Sequence, residues 1–183
     1  MGRKKSMNIV FLDIDGVLNS NSYFASLDKN TPIDEFDDID ETRVGYLEQI
    51  VKENKAKIVL SSTWRQLADK SIREEYKLYD YLVHTLGKHC LTIYDKTPII
   101  KMNRPLEIKT WLEANSIDKQ GNWRKIRWIS LDDDFSYEDY TEYGLQGHLL
   151  QTEFFTLNKG DKTEGGLQPK HIALAKQLFD KQK

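Results

Sequence analysis

The sequence predicts an α/β fold, with a mostly parallel central sheet between two layers of helices. Three observations carry that reading. Short apolar runs alternate with segments of helical spacing; three of those runs stop abruptly in Asp or Ser clusters; and no repeat, low-complexity stretch or linker divides the 183 residues. Such alternation implies parallel strands joined by right-handed crossovers. Ligand sites in these sheets lie beyond the carboxyl ends of the strands. Asp13/Asp15, Ser61/Ser62 and Asp132/Asp133 are therefore expected on one edge of the sheet.

The elements follow in order. Asn8 to Leu12 is apolar enough for a buried parallel strand and ends in Asp13. Val44, Leu47, Ile50 and Val51 fall at helical spacing over 41–54, with Asp40 as N-cap. Lys57 to Leu60 is a second strand, ending in Ser61-Ser62-Thr63, and a helix is expected from Trp64 to Tyr81. Cys90 to Tyr94 reads as a short strand. Pro105 suits the first turn of a helix reaching Asn115, with Leu106, Ile108 or Lys109, and Leu112 along it. Ile126 to Leu131 is a further strand, ending in Asp132-Asp133-Asp134, and Gly147 to Gln151 another. Pro169 opens a last helix with Ile172, Ala175, Leu178 and Phe179 on one face.

Composition narrows the function. Lys plus Arg is 27 and Asp plus Glu 29, a net charge of -2, so overall basicity does not mark a nucleic-acid binder. A single cysteine, Cys90, excludes a disulfide framework and fits a reducing, cytoplasmic setting; it is expected to be a small buried or half-buried packing group. No apolar run approaches the roughly 20 residues that span a bilayer. Residues 1–7 read as a flexible leader and 8–183 as one domain. His84, His89, His148 and His171 lack ligand spacing, and the acidic run Asp34–Glu41 reads as a solvated loop.

The chemistry concentrates in Asp13-Ile-Asp-Gly-Val-Leu-Asn19. Just past a strand end, with Gly16 permitting an unusual turn, both carboxylates can face one site. Charges that close repel unless a cation sits between them. A hard divalent ion with oxygen ligands answers that need, and Mg²⁺ fits best. Asp132 or Asp133 would complete the set. Such a cluster suits phosphoryl transfer, with one carboxylate as nucleophile and the other as acid and base. An EF-hand loop is excluded, because Val17 and Phe24 stand where acidic ligands are needed.

Phe11 to Asn19 resembles the first motif of the haloacid dehalogenase (HAD) superfamily of phosphotransferases. Ile58-Val-Leu-Ser61 resembles the second motif, and Trp128-Ile-Ser-Leu-Asp-Asp133 the fourth. More narrowly, Ser61-Ser-Thr-Trp-Arg65, Arg104-Pro-Leu-Glu-Ile-Lys-Thr-Trp-Leu112, Leu131-Asp-Asp133 and Gly166-Leu167 are similar to the HAD-like domain of Swiss Army Knife RNA-repair proteins. The resemblance implies a three-layer Rossmannoid fold. It implies Asp13 as the nucleophile that becomes an aspartyl-phosphate, and Asp15 as general acid and then base. Asp13, the backbone carbonyl of Asp15, and Asp132 or Asp133 would hold Mg²⁺, and Ser61 would bond the phosphoryl group. Arg104 matches the basic third motif, with Lys101 as the alternative. Ser62 and Arg65 are further candidates for substrate binding, and Trp64 and Trp111 are read as core.

HAD enzymes differ in cap insertions. Only 25 residues separate Asp15 from Glu41, and 38 separate Arg65 from Arg104, so a minimal cap or none is expected. An open site suits a phosphate on a large molecule, such as an oligonucleotide end, with Tyr23 and Phe24 lining its entrance. The rival readings are a HAD-type protein phosphatase and a non-catalytic phosphate- or partner-binding module on the same scaffold.

Overall fold

The computed structural model describes residues 6–27, 37–69, 73–117, 121–157, 161 and 163–183. Most of the expected leader therefore lies outside the described residues, as does the acidic run up to position 36. Five strands form one all-parallel sheet: β1 (Met7–Leu12), β2 (Ala56–Leu60), β3 (Ile93–Lys96), β4 (Ile126–Asp132) and β5 (Leu149–Gln151). Their spatial order is β3-β2-β1-β4-β5, with β1 at the centre.

Each strand side feeds a separate core, as the two-residue period of a strand requires. Val10 and Leu12 of β1 join Ile58 and Leu60 of β2 under three helices: α2 (Glu41–Asn54), α3 (Arg73–Lys88) and α6 (Pro169–Asp180). Ile9 and Phe11 face the other way, against Ile108 and Trp111 of α4 (Arg104–Asn115) and Tyr140 of α5 (Tyr137–Glu142). Phe11 meets the rings of Trp111 and Trp128 edge-on, at 5.3 and 5.5 Å. Helices on both faces explain why the strand sequences read as unbroken apolar runs.

Four expectations are corrected. The helix foreseen over 64–81 is two elements: a 3₁₀ helix (Thr63–Ala68), capped by Ser62, and then α3. The 3₁₀ helix stops because Asp69 takes an extended conformation. The strand foreseen at 90–94 begins at Ile93, because Cys90 turns left-handed (φ 56) to end the helix before it. Cys90 itself is exposed. In α4 the buried face runs through Arg104, Glu107, Ile108 and Trp111, so Leu106 and Leu112 are only half-buried.

Two short helices had no apolar period to betray them. They are α1 (Asn21–Ser26), capped by Ser20, and α5, capped by Ser136. The span between Arg65 and Arg104 goes into α3 and β3, elements of the sheet layers themselves. Among the described residues, no helix is long and apolar enough to cross a membrane.

Candidate active site

The ends of β1 and β4 lie side by side, with Leu12 paired to Leu131, so Asp13 and Asp132 emerge next to each other. Asp13 and Asp132 are buried, and with the half-buried Asp133 they offer oxygens all within 4.8 Å of one another. Asp13 is fixed by the Ile14 amide, which donates to its Oδ1 at 2.8 Å, and by the Ser62 hydroxyl. The Asp134 amide donates to Asp132 Oδ1 at 3.1 Å. Burial pushes all three carboxyls above their ordinary range, Asp132 and Asp133 up to about 7. Burial is the main cause, and for Asp132 and Asp133 the neighbouring carboxylates add to it.

Arg104, the first residue of α4, lies between two of these carboxylates. Its Nη1 donates to Asp13 Oδ2 at 2.5 Å and to Asp132 Oδ2 at 2.8 Å. Burial alone would weaken its charge, but Asp132 and Asp13 outweigh burial and hold the guanidinium above its ordinary range. Its fork stacks on Phe135, 5.5 Å from the ring centre. Lys101, the other candidate for this place, is exposed in a left-handed turn (φ 53). Among the described residues, Arg104 is the cation bonded to the cluster.

Ser61 follows β2 on the same edge, its amide bonded to the Leu12 carbonyl at 2.8 Å. It is fully buried, and its hydroxyl has no hydrogen-bond partner among the described residues. Leaving such a group unmade costs roughly 1–3 kcal/mol. A phosphoryl oxygen at this place would supply the missing acceptor.

Arg65, in the 3₁₀ helix after Ser61 and Ser62, is buried within reach of the Asp13 and Arg104 charges. Its guanidinium is buried against Glu107, at 2.6 Å, and it donates to the Ser62 carbonyl at 2.5 Å. Glu107 also accepts from the Ile100 amide at 2.8 Å. The Ser-Ser-Thr-Trp-Arg run is thus tied to α4, the helix that carries Arg104. Glu107 carried no signal in the sequence beyond its three-residue spacing from Arg104.

Asp15 also stands apart from the three-carboxylate group. Its Oδ2 accepts the Trp64 indole N–H at 2.9 Å, and its Oδ1 accepts from the Asn19 amide at 3.0 Å. The acidic stretch reaches this point too. Asp38 is half-buried near Asp15, and burial, then the Asp15 charge, pushes its carboxyl upward. Asp40 caps α2 through the Thr42 amide and pairs with Arg43 at 3.4 Å, so neither residue is part of a merely solvated loop.

Beside Asp133 opens a groove of about 600 Å³, lined by Asp133, Asp134, Tyr137, Gln151, Glu153 and Phe155 among others. Tyr137 and Phe155 are exposed, and Phe155 meets Phe154 edge-on at 4.9 Å. Phe24 lies near Phe154, at 6.3 Å between ring centres, while Tyr23 donates its hydroxyl to the Ile39 carbonyl. Among the described residues, no basic residue lines this groove. Lys125 and Arg127 are at the opposite end of the sheet, where Arg127 bonds Asn8 and Lys125 the Lys183 carbonyl.

The donor set is all oxygen, crowded and negative, and it fits a hard divalent cation such as Mg²⁺. A search of the curated proteins gives no match. The family model for the HAD domain in Swiss Army Knife RNA repair proteins matches residues 9–158, a span that holds β2 to β5, all but the first two residues of β1, and every residue of the cluster. On that match and the all-parallel sheet beneath it, the chain belongs to this family of HAD domains.

Proposed function

We propose that the protein is a Mg²⁺-dependent phosphomonoester hydrolase that works through an aspartyl-phosphate on Asp13, with a phosphorylated nucleic-acid end as substrate. The observation that carries this reading is the meeting of three strand ends. Asp13 and Asp132 flank the Arg104 guanidinium, and the buried hydroxyl of Ser61 has no hydrogen-bond partner among the described residues.

Asp13 and Asp132, with Asp133 and the Asp15 backbone carbonyl, would hold the ion. The chemistry Mg²⁺ supplies when bound is neutralisation of charge, which lets a carboxylate approach a phosphate dianion. Asp13 attacks phosphorus as the ester bond to the leaving oxygen breaks, and Asp15 gives that oxygen its proton. Asp15 then takes a proton from the water that attacks phosphorus and frees Asp13. Ser61 bonds a non-bridging oxygen throughout. Arg104 holds Asp13 as an anion aimed along one line, and its charge offsets that of the transferred group.

The leaving group lies in the groove beside Asp133. Tyr137 and Phe155 offer rings on which a base can stack, and Asp134 and Glu153 offer acceptors for its N–H groups or for sugar hydroxyls. The family match to RNA repair proteins supports a nucleic-acid end over a sugar phosphate.

The test is a panel of 3′- and 5′-phosphorylated oligonucleotides, phosphopeptides and sugar phosphates, assayed with Mg²⁺, with Ca²⁺ and with excess chelator. Oligonucleotide ends should give the highest kcat/KM. Chelator should abolish turnover, and Ca²⁺ should restore it poorly, because its longer bonds and higher coordination number disturb the attack line. Full activity in chelator would overturn the metal's part, and a preference for sugar phosphates would overturn the substrate assignment.

A further inference from the structure

Trp64 is 6 % exposed and packs in the core under β1 and β2, as a structural tryptophan would. Its one polar atom nevertheless does a specific thing. The indole Nε1 donates to Asp15 Oδ2 at 2.9 Å, so a ring clamped by packing delivers a donor to an exposed carboxylate. The other carboxylate oxygen is held by Asn19 Nδ2 at 3.0 Å. Asn19 is itself fixed, accepting the Gly16 amide at 2.9 Å and donating to the Asp38 carbonyl at 2.9 Å. The carboxylate of Asp15 is thereby gripped from two sides by groups that cannot turn away.

We infer that Trp64, with Asn19, is a positioning residue that holds Asp15 for proton transfer to the leaving oxygen. This rests on the hydrolytic reading above. In that reading the bond from phosphorus to the leaving oxygen breaks as the bond to Asp13 forms, and the proton on Asp15 moves to the departing oxygen. A misplaced Asp15 therefore harms substrates in proportion to how much their leaving oxygen needs that proton. An alkoxide needs it; a nitrophenolate leaves without help.

The experiment uses the full chain carrying Trp64→Phe, which keeps a ring and removes the N–H. The kcat/KM, which reports the first chemical step, is measured on an alkyl ester, a 5′-phosphorylated oligonucleotide, and on p-nitrophenyl phosphate. The expected result is a loss of at least about tenfold on the alkyl ester, with p-nitrophenyl phosphate changed by less than about threefold. A benzothienylalanine placed at position 64 alone fills the indole's volume without its N–H, and should reproduce the split should the Phe variant fold poorly. Equal losses on both substrates, or no loss on either, would overturn the inference while leaving the hydrolase reading intact. An unmodified protein that hydrolyses neither ester would remove that reading, and the inference with it.

Discussion

At Gly16 the backbone takes φ +67, and a methyl group there would lie 2.0 Å from Cγ of Asp133. The turn that folds the two aspartates of the first motif to one edge therefore needs glycine for two reasons. A side chain is disfavoured by about 1–2 kcal/mol in this conformation, and it would also push a candidate metal ligand out of place. Gly16→Ala should leave the fold intact and weaken Mg²⁺ binding by roughly 10- to 100-fold, as losses around metal ligands usually do. Calorimetric titration checks this, and unchanged affinity would mean that Asp133 lies outside the metal set. At this scale much was legible. Asp13, Asp132 and Asp133 could be grouped from the sequence because each follows an apolar strand. The bonds of Trp64 and Asn19 to Asp15 could not, since a core tryptophan and a turn asparagine look alike whether or not their N–H groups meet a carboxylate. The buried pairing of Arg65 with Glu107 was hidden for a related reason: a cation next to Ser61 and Ser62 suggests phosphate, and its partner lies 42 residues along the chain.

Elements, in turn, are held in place by polar contacts as much as by apolar faces. The 3₁₀ helix and α4 are joined by the buried pair of Arg65 and Glu107. Removing one partner of such a pair leaves a charge uncompensated, so Glu107→Gln should cost about 3–5 kcal/mol in urea unfolding. A double change of both residues to Met should recover most of that loss, because the uncompensated charge is then gone. A second test belongs to α6, where the Gln168 amide donates to Nδ1 of His171 at the helix start. Burial, with Lys170 and Arg43 nearby, pushes His171 down to about 4 from its ordinary 6.5. The unfolded chain therefore takes up this proton near pH 6.5 and the native protein only near 4. The stability that neutral His171 contributes is complete above about pH 6.5, falls as the pH drops towards 4, and then levels off. Its size, discounted for the ring's remaining solvent contact, is roughly 1–2 kcal/mol. His171→Gln keeps an acceptor at that place, and the stability gap between it and the native protein should shift by this amount across the window; a constant gap would contradict the account. Of the elements, the long ones with apolar period were legible. The breaks at Asp69 and Cys90 were not, because they depend on single backbone conformations. The short helices α1 and α5 escaped notice because their caps, not an apolar face, define them.

Over the whole molecule the charge pattern complements the fold. A net charge of -2 hides a strongly acidic edge, where Asp13, Asp132, Asp133, Asp134 and Glu153 line the cluster and groove and Asp38 lies near Asp15. Lys125 and Arg127 are at the opposite end of the sheet. Such an edge attracts cations and disfavours a long polyanion along the groove, so contacts are expected with a terminal phosphate and its own nucleoside rather than with a backbone track. The α/β class was legible from the alternation of elements. The all-parallel sheet and the convergence of three strand ends follow from the same alternation. What the sequence left open was which cation balances Asp13. Arg104 and Lys101 are three residues apart, and only the start of α4 and the left-handed turn before it separate their positions.

In the proposed reaction Asp13 takes the phosphoryl group. An acyl phosphate is reduced by borohydride to an alcohol, which would turn Asp13 into homoserine. The most direct measurement is therefore to quench the working enzyme, with Mg²⁺ and a 5′-phosphorylated oligonucleotide, into borohydride and to locate the modified residue by peptide mass spectrometry. Homoserine is expected at position 13, dependent on substrate and absent from Asp13→Asn. Turnover at full rate with Asp13 unmodified, or with the Asp13→Asn variant still hydrolysing substrate at the native rate, would contradict it.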